Sequence, residues 1–127
     1  MKKYFLIWGF LFGLSAVILG ALGAHALKPL LTEVQLDSFA TGVRFQVYHA
    51  LLLIILSQIP SFATRTILIL LVLGTLLFSV SIYLLNVQEI LGLGNLSFLG
   101  PITPIGGLLL ITAWLLLMIK AFKLKVQ

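Results

Sequence analysis

Two histidines are the side chains of this sequence that most directly suggest chemistry. His49 follows Tyr48 without a gap, and His25 ends the first long apolar run. An imidazole beside a hydroxyl such as that of Ser81 is the arrangement that general-base catalysis uses. The carboxylates that could orient such a base are Glu33, Asp37 and Glu89. All of them lie at predicted membrane edges, so no catalytic residue is assigned and we expect a protein that is not an enzyme.

The same two histidines raise the question of a haem or metal site. At 1.5 Å per helical residue, His25 lies about 32 Å above the cytoplasmic end of its predicted helix and His49 about 15 Å above its own. Axial haem ligands must lie level, and zinc or copper needs a third ligand, which a chain without cysteine does not offer. We therefore expect no metal and no cofactor. A neutral His49 is expected to donate to a backbone or hydroxyl oxygen of a neighbouring helix.

A second hypothesis concerns anion binding in the outer leaflet. Lys28 and Arg44 are the cations expected there, and the fourth predicted helix opens near Thr103 with free N–H groups that carry partial positive charge. The hypothetical ligand-binding set comprises Lys28, Arg44, Tyr48, His49, Ser81, Tyr83, Thr103 and Gly106. Converging on one pocket, these groups would hold a small anion or an anionic head group. The alternative is that each polar group only satisfies another at a helix end.

Arg44 needs a partner in either case, because an unpaired guanidinium in the membrane is costly. Asp37 precedes it by seven residues on one helical face, about 10 Å away, which predicts a bridge through Thr41 or water. Glu89, at the end of the third predicted helix, is the other favoured partner, ahead of Glu33. Structural polar roles are assigned to His25, Asp37 and Glu89.

The composition identifies the class of protein. The chain has 127 residues, of which 61% are hydrophobic and 9% charged, and its mean hydropathy is +1.24. Soluble proteins average roughly 25% charged residues. The net charge of +5 is concentrated at the ends of the chain, in Lys2, Lys3, Lys120, Lys123 and Lys125. This pattern predicts one membrane domain over residues 1–127, with the lipid bilayer as its partner and no nucleic acid.

Long uncharged runs predict an all-α polytopic membrane protein, a bundle of four transmembrane helices at about residues 4–26, 40–59, 65–86 and 102–120. The last uncharged run is too long for one span, and its Gly-rich and Pro-rich first part is typical of a turn followed by a helix start. Thr32 and Gln35 have the spacing of a capping box, so the second helix could begin as early as Thr32.

Basic residues predict the orientation of the bundle. With the N-terminus in the cytoplasm, the outer side holds only Lys28 and Arg44. The inner side then holds Lys2, Lys3, Arg65, Lys120, Lys123 and Lys125. Because cytoplasmic flanks carry the excess of Lys and Arg, both termini are predicted to be cytoplasmic.

Small residues form a strip along the first predicted helix. Gly9, Gly13, Ala16, Gly20 and Ala24 recur at every third or fourth position. In lipid, helices associate by close backbone contact at such strips. We expect this strip to pack inside the bundle, and the alternative is a homo-oligomer formed through Gly9, Gly13 and Gly20.

Four segments resemble one family of small membrane proteins. They are GALGAHALK at 20–28, TGVRFQVYHALLL at 41–53, SVSIYLL at 79–85 and GPITPIGG at 100–107. Together they resemble the family called domain of unknown function 423, which includes eukaryotic transmembrane protein 256. Leu22, Phe45, Val47 and Val80 depart from the family pattern. The resemblance implies a four-helix protein of the bacterial inner membrane, with no established activity.

These observations favour a non-enzymatic membrane protein whose outer polar cluster binds an anionic lipid, a small anion or a partner protein. A small carrier or channel-like transporter that acts as an oligomer is the second class, although no midplane polar site or internal repeat is evident. A membrane enzyme that uses His49 or His25 is the third.

Overall fold

The computed structural model describes residues 1–124, and this part of the chain is helical with connecting turns and no strand. The four long helices are α1 (Lys2–Ala24), α2 (Glu33–Leu56), α3 (Arg65–Val87) and α4 (Ile102–Phe122). Each is long and apolar enough to cross a membrane. The predicted all-α class with four spans is therefore confirmed. Lys125, predicted to lie on the cytoplasmic side, falls outside the described residues.

Helix α2 begins at Glu33 and not near residue 40, because the capping box forms. The backbone N–H of Gln35 donates to Thr32 Oγ1 over 3.2 Å, and the N–H of Thr32 donates to Gln35 Oε1 over 2.9 Å. Two N–H groups that would lack a partner at the helix start are thus satisfied. The earlier start places Glu33 and Asp37 on the same helix as Arg44.

The helices follow one another in space as they do in sequence. Helices α2 and α3 form the centre, α1 packs mainly on α2, and α4 packs mainly on α3. Along the α2–α3 contact, Ser79 meets Gly42 and Asn86 meets Ser38, so the residue numbers run in opposite directions and the two helices are antiparallel.

The small residues of α1 explain how closely it approaches α2. A Cβ added at Gly9 would lie 3.1 Å from the carbonyl oxygen of Ala50, and one added at Gly20 would lie 3.5 Å from Val43 Cγ1. The strip therefore packs within the bundle, as predicted, except at Gly13, where nothing lies within 4 Å of an added Cβ. Of the three glycines named for a homo-oligomer, Gly9 is buried, whereas Gly13 and Gly20 are partly exposed.

Helix α3 contains one π-helical turn, Leu76–Val80, where α4 approaches most closely. A Cβ added at Gly106 of α4 would collide with the backbone N of Phe78 and lie 2.8 Å from the carbonyl carbon of Leu77. Gly74 makes the reciprocal approach, because its added Cβ would lie 3.1 Å from the N of Leu110. Only glycine permits backbones to come this close.

The two ends of the bundle differ in polarity. The end that holds Lys2 and Phe122, called here the terminal end, has an apolar core of Phe5, Leu53, Leu56, Ile67, Leu71 and Leu117. The opposite end, called the loop end, holds the α1–α2 turn at residues 25–32 and the α3–α4 loop at residues 88–101. Most of the buried polar side chains lie between the middle of the bundle and the loop end. The candidate ligand residues must be sought there.

Candidate ligand site at the loop end

A cleft of about 620 Å³ lies between α1 and α2 at the loop end. We call it the α1–α2 cleft. Its apolar wall is formed by Gly20, Gly23, Ala24, Leu36, Phe39, Ala40 and Val43. Its charged residues are Lys28, Glu33, Asp37 and Arg44. The cleft thus combines an apolar wall with two cations and two carboxylates.

The helical period explains why three of these charges share the cleft. Glu33, Asp37 and Arg44 are separated by four and then seven residues, so they fall within about 40° of one another around α2. Along the helix axis the two steps correspond to about 6 Å and about 10 Å. Lys28 joins them from the turn after α1. The charged part of the cleft therefore consists of three residues on one face of α2 and of Lys28 in the α1–α2 turn.

Arg44 is paired with Asp37, which confirms one of its two favoured partners. Arg44 Nη2 donates directly to Asp37 Oδ1 over 3.3 Å, and not through Thr41 or water. The Thr41 hydroxyl instead donates to the backbone oxygen of Asp37 over 3.0 Å. Glu89 lies elsewhere, in a loop cavity with Gln88 and Asn95 among its lining residues.

The ion pair leaves Arg44 able to bind something else. The side chains of Arg44 and Asp37 are 53% and 76% exposed, and pairs of this kind contribute roughly 0–1 kcal/mol. The Arg44 guanidinium has five N–H donors. Within residues 1–124 its one hydrogen bond is made by Nη2, so the other donors are free. Lys28 forms no hydrogen bond or ion pair within the same residues. Both side chains can therefore donate hydrogen bonds to a ligand.

Three other predicted ligand residues lie at the α3–α4 contact and not in this cleft. Ser81 Oγ and Thr103 Oγ1 are 2.6 Å apart, so one hydroxyl donates to the other across the α3–α4 contact. Gly106 is buried against the π-helical turn. The predicted single pocket, with Lys28, Arg44 and the start of the fourth helix together, is thus corrected, because the Thr103 hydroxyl at the start of α4 pairs with Ser81 of α3.

His49 is buried and both of its ring nitrogens are engaged. Nδ1 lies 2.6 Å from the carbonyl oxygen of Phe45, one turn earlier in α2, and Nε2 lies 3.2 Å from the indole Nε1 of Trp114 in α4. Because the indole N–H can only donate, Nε2 accepts and Nδ1–H donates, which is the neutral tautomer. The predicted donation to a neighbouring helix is corrected, since His49 donates within its own helix and accepts from the neighbour.

Tyr48 and Tyr83 have opposite environments. Tyr48 is exposed on the outer surface of the bundle, where its ring centroid lies 6.1 Å from that of Phe45. Tyr83 is buried, and its hydroxyl donates to Gln46 Oε1 over 2.8 Å. Neither side chain lines the α1–α2 cleft.

Gln46 is a polar centre that the sequence analysis did not identify. Besides accepting from Tyr83, it donates through Nε2 to the carbonyl oxygen of Phe12 over 2.9 Å and to Ser15 Oγ over 2.7 Å. One amide thereby joins α1, α2 and α3. Its position as a lone amide inside an apolar run was the available signal, because polar residues within membrane segments are costly unless they are paired.

The remaining polar residues lie at the edges. His25 is exposed at the end of α1, where its backbone N–H donates to the carbonyl of Ala21 over 3.1 Å. Glu89 is exposed in the α3–α4 loop. Within residues 1–124 no three His, Cys, Asp or Glu side chains come together as metal ligands do.

The fold and polarity define the class of this molecule, a polytopic membrane protein of four helices with a polar loop end. The chain belongs to a family whose model, described as "Protein of unknown function (DUF423)", matches residues 19–107. It is 41% identical over 126 residues to a UPF0382 membrane protein of Staphylococcus haemolyticus, a match that covers 95% of this chain and 97% of that one. It is 39% identical over 128 residues to the UPF0382 membrane protein YwdK of Bacillus subtilis, covering 95% and 98%. No solved structure matches the chain significantly. The predicted family is therefore confirmed.

Proposed function

We propose that this protein is a non-enzymatic protein of the bacterial inner membrane that binds a phosphate-bearing ligand, a phospholipid head group or a small anion, in the α1–α2 cleft. The observation that carries the proposal is the presence of Lys28 and Arg44 in the same cleft of about 620 Å³. The ligand's phosphate lies against these two cations.

The apolar wall favours a lipid over a free anion. Gly20 and Gly23 leave the α1 side of the cleft smooth, and Phe39 and Val43 line its α2 side. An acyl chain can pack along this wall by van der Waals contact, while its phosphate meets Lys28 and the free donors of Arg44. A free anion would use only the charged part of the cleft.

The non-enzymatic role is supported by the state of the histidines. Both nitrogens of His49 are occupied by Phe45 and Trp114, so it lacks a free atom to accept a proton from a substrate. His25 lies at the exposed end of α1, with no carboxylate bonded to it among residues 1–124.

The proposed orientation, with both termini in the cytoplasm, places the α1–α2 cleft in the outer leaflet. Lys2 donates to Gln58 Oε1 over 3.1 Å and Lys120 donates to the carbonyl of Ser61 over 3.2 Å, so several basic side chains gather at the terminal end. Cytoplasmic ends carry such an excess.

This orientation is testable because the natural chain contains no cysteine. In intact cells, Ala26→Cys in the α1–α2 turn is expected to react with a membrane-impermeant maleimide, and Ser61→Cys in the α2–α3 turn only after lysis. Both positions are exposed. The reverse labelling pattern would place the termini outside.

The binding proposal is tested by native mass spectrometry of the detergent-purified chain with phosphatidylglycerol or inorganic phosphate. Each of Lys28→Ala and Arg44→Ala is expected to lower phospholipid occupancy about tenfold, since charge-assisted hydrogen bonds contribute roughly 1.5–3 kcal/mol. Lys123→Ala, which removes an exposed cation at the terminal end, is the matched control and is expected to have no effect.

The outcomes separate the two sources of phosphate. Lipid adducts that depend on Lys28 and Arg44 support a phospholipid site. Retention of inorganic phosphate alone identifies a small-anion site. Occupancy that is equal in the wild type and both variants refutes binding in this cleft.

A further inference from the structure

We infer that the preferred ligand of the α1–α2 cleft is a zwitterionic phospholipid with a primary ammonium group, an aminophospholipid. The inference rests on the proposed function, and it adds a role for the two carboxylates of the cleft. Glu33 and Asp37 provide the contacts for the ammonium, as Lys28 and Arg44 provide those for the phosphate.

The charge balance of the cleft favours a zwitterion over an anion. Its four charged side chains are two cations and two carboxylates, so their charges sum to zero. A purely anionic head group would be attracted by Lys28 and Arg44 but repelled by Asp37 and Glu33. A zwitterion can place each of its charges beside an opposite one.

The order of the charges along α2 matches the order of charges in a phospholipid. The backbone of Arg44 lies farthest from the start of α2, and the backbones of Asp37 and Glu33 lie about 10 Å and about 16 Å nearer that start. The Arg44 side chain extends back toward that start, so its Nη2 lies 3.3 Å from Asp37 Oδ1. In a phospholipid the phosphate lies next to the glycerol and the acyl chains, and the ammonium lies beyond it. A lipid chain on the apolar wall therefore brings phosphate to Arg44 and ammonium to the carboxylates.

The Arg44–Asp37 pair presents both contacts side by side. Its Nη2–Oδ1 distance of 3.3 Å joins a guanidinium with free donors to a carboxylate that accepts only this side-chain hydrogen bond within residues 1–124. A carboxylate offers about four lone-pair sites. When the lipid phosphate contacts the Arg44 guanidinium and the lipid ammonium contacts the Asp37 carboxylate, the four groups form a ring in which positive and negative charges alternate.

The lining also distinguishes a primary ammonium from a quaternary one. Trimethylammonium groups are held by aromatic cages, and the one aromatic side chain of the cleft is Phe39. Phe39 is buried, and its ring packs against that of Tyr83 with centroids 4.9 Å apart and planes tilted by 43°, so it belongs to the apolar wall. A primary ammonium instead donates up to three hydrogen bonds, which suit Asp37 and Glu33. Ethanolamine is thus favoured over choline.

The test is competition between lipids. The purified chain is mixed with equal amounts of dioleoyl phosphatidylethanolamine, phosphatidylcholine and phosphatidylglycerol, and bound lipids are resolved by native mass spectrometry. The wild type is expected to bind phosphatidylethanolamine about tenfold better than either other lipid. Asp37→Asn and Glu33→Gln are each expected to reduce this preference several-fold while retaining phosphatidylglycerol.

Glu89→Gln is the matched control, because Glu89 is an exposed carboxylate at the same end of the bundle but outside the cleft. Glu33→Gln leaves the Arg44–Asp37 pair intact, so its result does not depend on repositioning of Arg44. A phosphatidylethanolamine preference that is unchanged in both cleft variants overturns the inference. A wild-type preference for phosphatidylglycerol that is lost in Lys28→Ala overturns it too, but leaves the proposed function standing. Lipid binding unaffected by Lys28→Ala and Arg44→Ala overturns both.

Discussion

Replacing Gly106 with alanine is expected to destabilise the protein by about 1–3 kcal/mol, the usual result of overpacking a tight contact. The added methyl group would collide with the backbone N of Phe78 and lie 2.8 Å from the carbonyl carbon of Leu77. Backbone atoms cannot turn aside as a flexible side chain does. Relief requires α4 to move away from the π-helical turn of α3, which disturbs the Ser81–Thr103 hydrogen bond nearby.

The measurement is equilibrium unfolding in mixed micelles, followed by circular dichroism. Gly107→Ala is the matched control at the next residue, because its added Cβ meets only the ring of Phe78, at 3.7 Å, an ordinary contact. It is expected to leave stability unchanged or to raise it by up to about 1 kcal/mol, because alanine favours a helix interior over glycine. Equal stability of the two variants would show that α3 and α4 do not approach as closely at Gly106 as described.

The second large effect is expected at Gln46. Gln46→Leu leaves the buried hydroxyl of Tyr83 without its acceptor and removes the two donations to Phe12 and Ser15. Leaving a buried polar group unsatisfied costs about 1–3 kcal/mol. The variant is therefore expected to lower the free energy of unfolding by about that amount and to loosen α1 from α2 and α3.

A double-mutant cycle with Tyr83→Phe isolates the Gln46–Tyr83 hydrogen bond. Interhelical hydrogen bonds in membrane proteins average about 0.6 kcal/mol and reach about 1.7 kcal/mol, so a coupling energy in this range is expected. Tyr48→Phe is the control, since the Tyr48 hydroxyl makes no hydrogen bond within residues 1–124. Strict additivity of Gln46→Leu and Tyr83→Phe would argue against the bond.

The sequence by itself determined the class of protein and the face of α2 that carries its charged residues. Uncharged runs of about 20 residues admit only spanning helices, because in lipid every backbone polar group must be satisfied within the segment. The spacing of Thr32 and Gln35 indicated a possible start of α2 near residue 32, which is where the helix begins, although the span was predicted from about residue 40. The spacing of Asp37 and Arg44 placed both on one face, which made Asp37 one of the two favoured partners of Arg44. All of these are properties of a single helix or of chain length, so they can be derived without knowing how helices meet.

Only the tertiary structure decided which polar groups share a site. Lys28 and Arg44 line one cleft because α1 packs on α2. Thr103 instead forms a hydrogen bond with Ser81, because α4 packs on α3. Gln46 joins three helices, and Trp114 fixes His49, through side chains from distant parts of the chain. The physical reason is that helix rotation and depth depend on where glycines allow close contact, as at Gly9 and Gly106, and this depends on both partners at once.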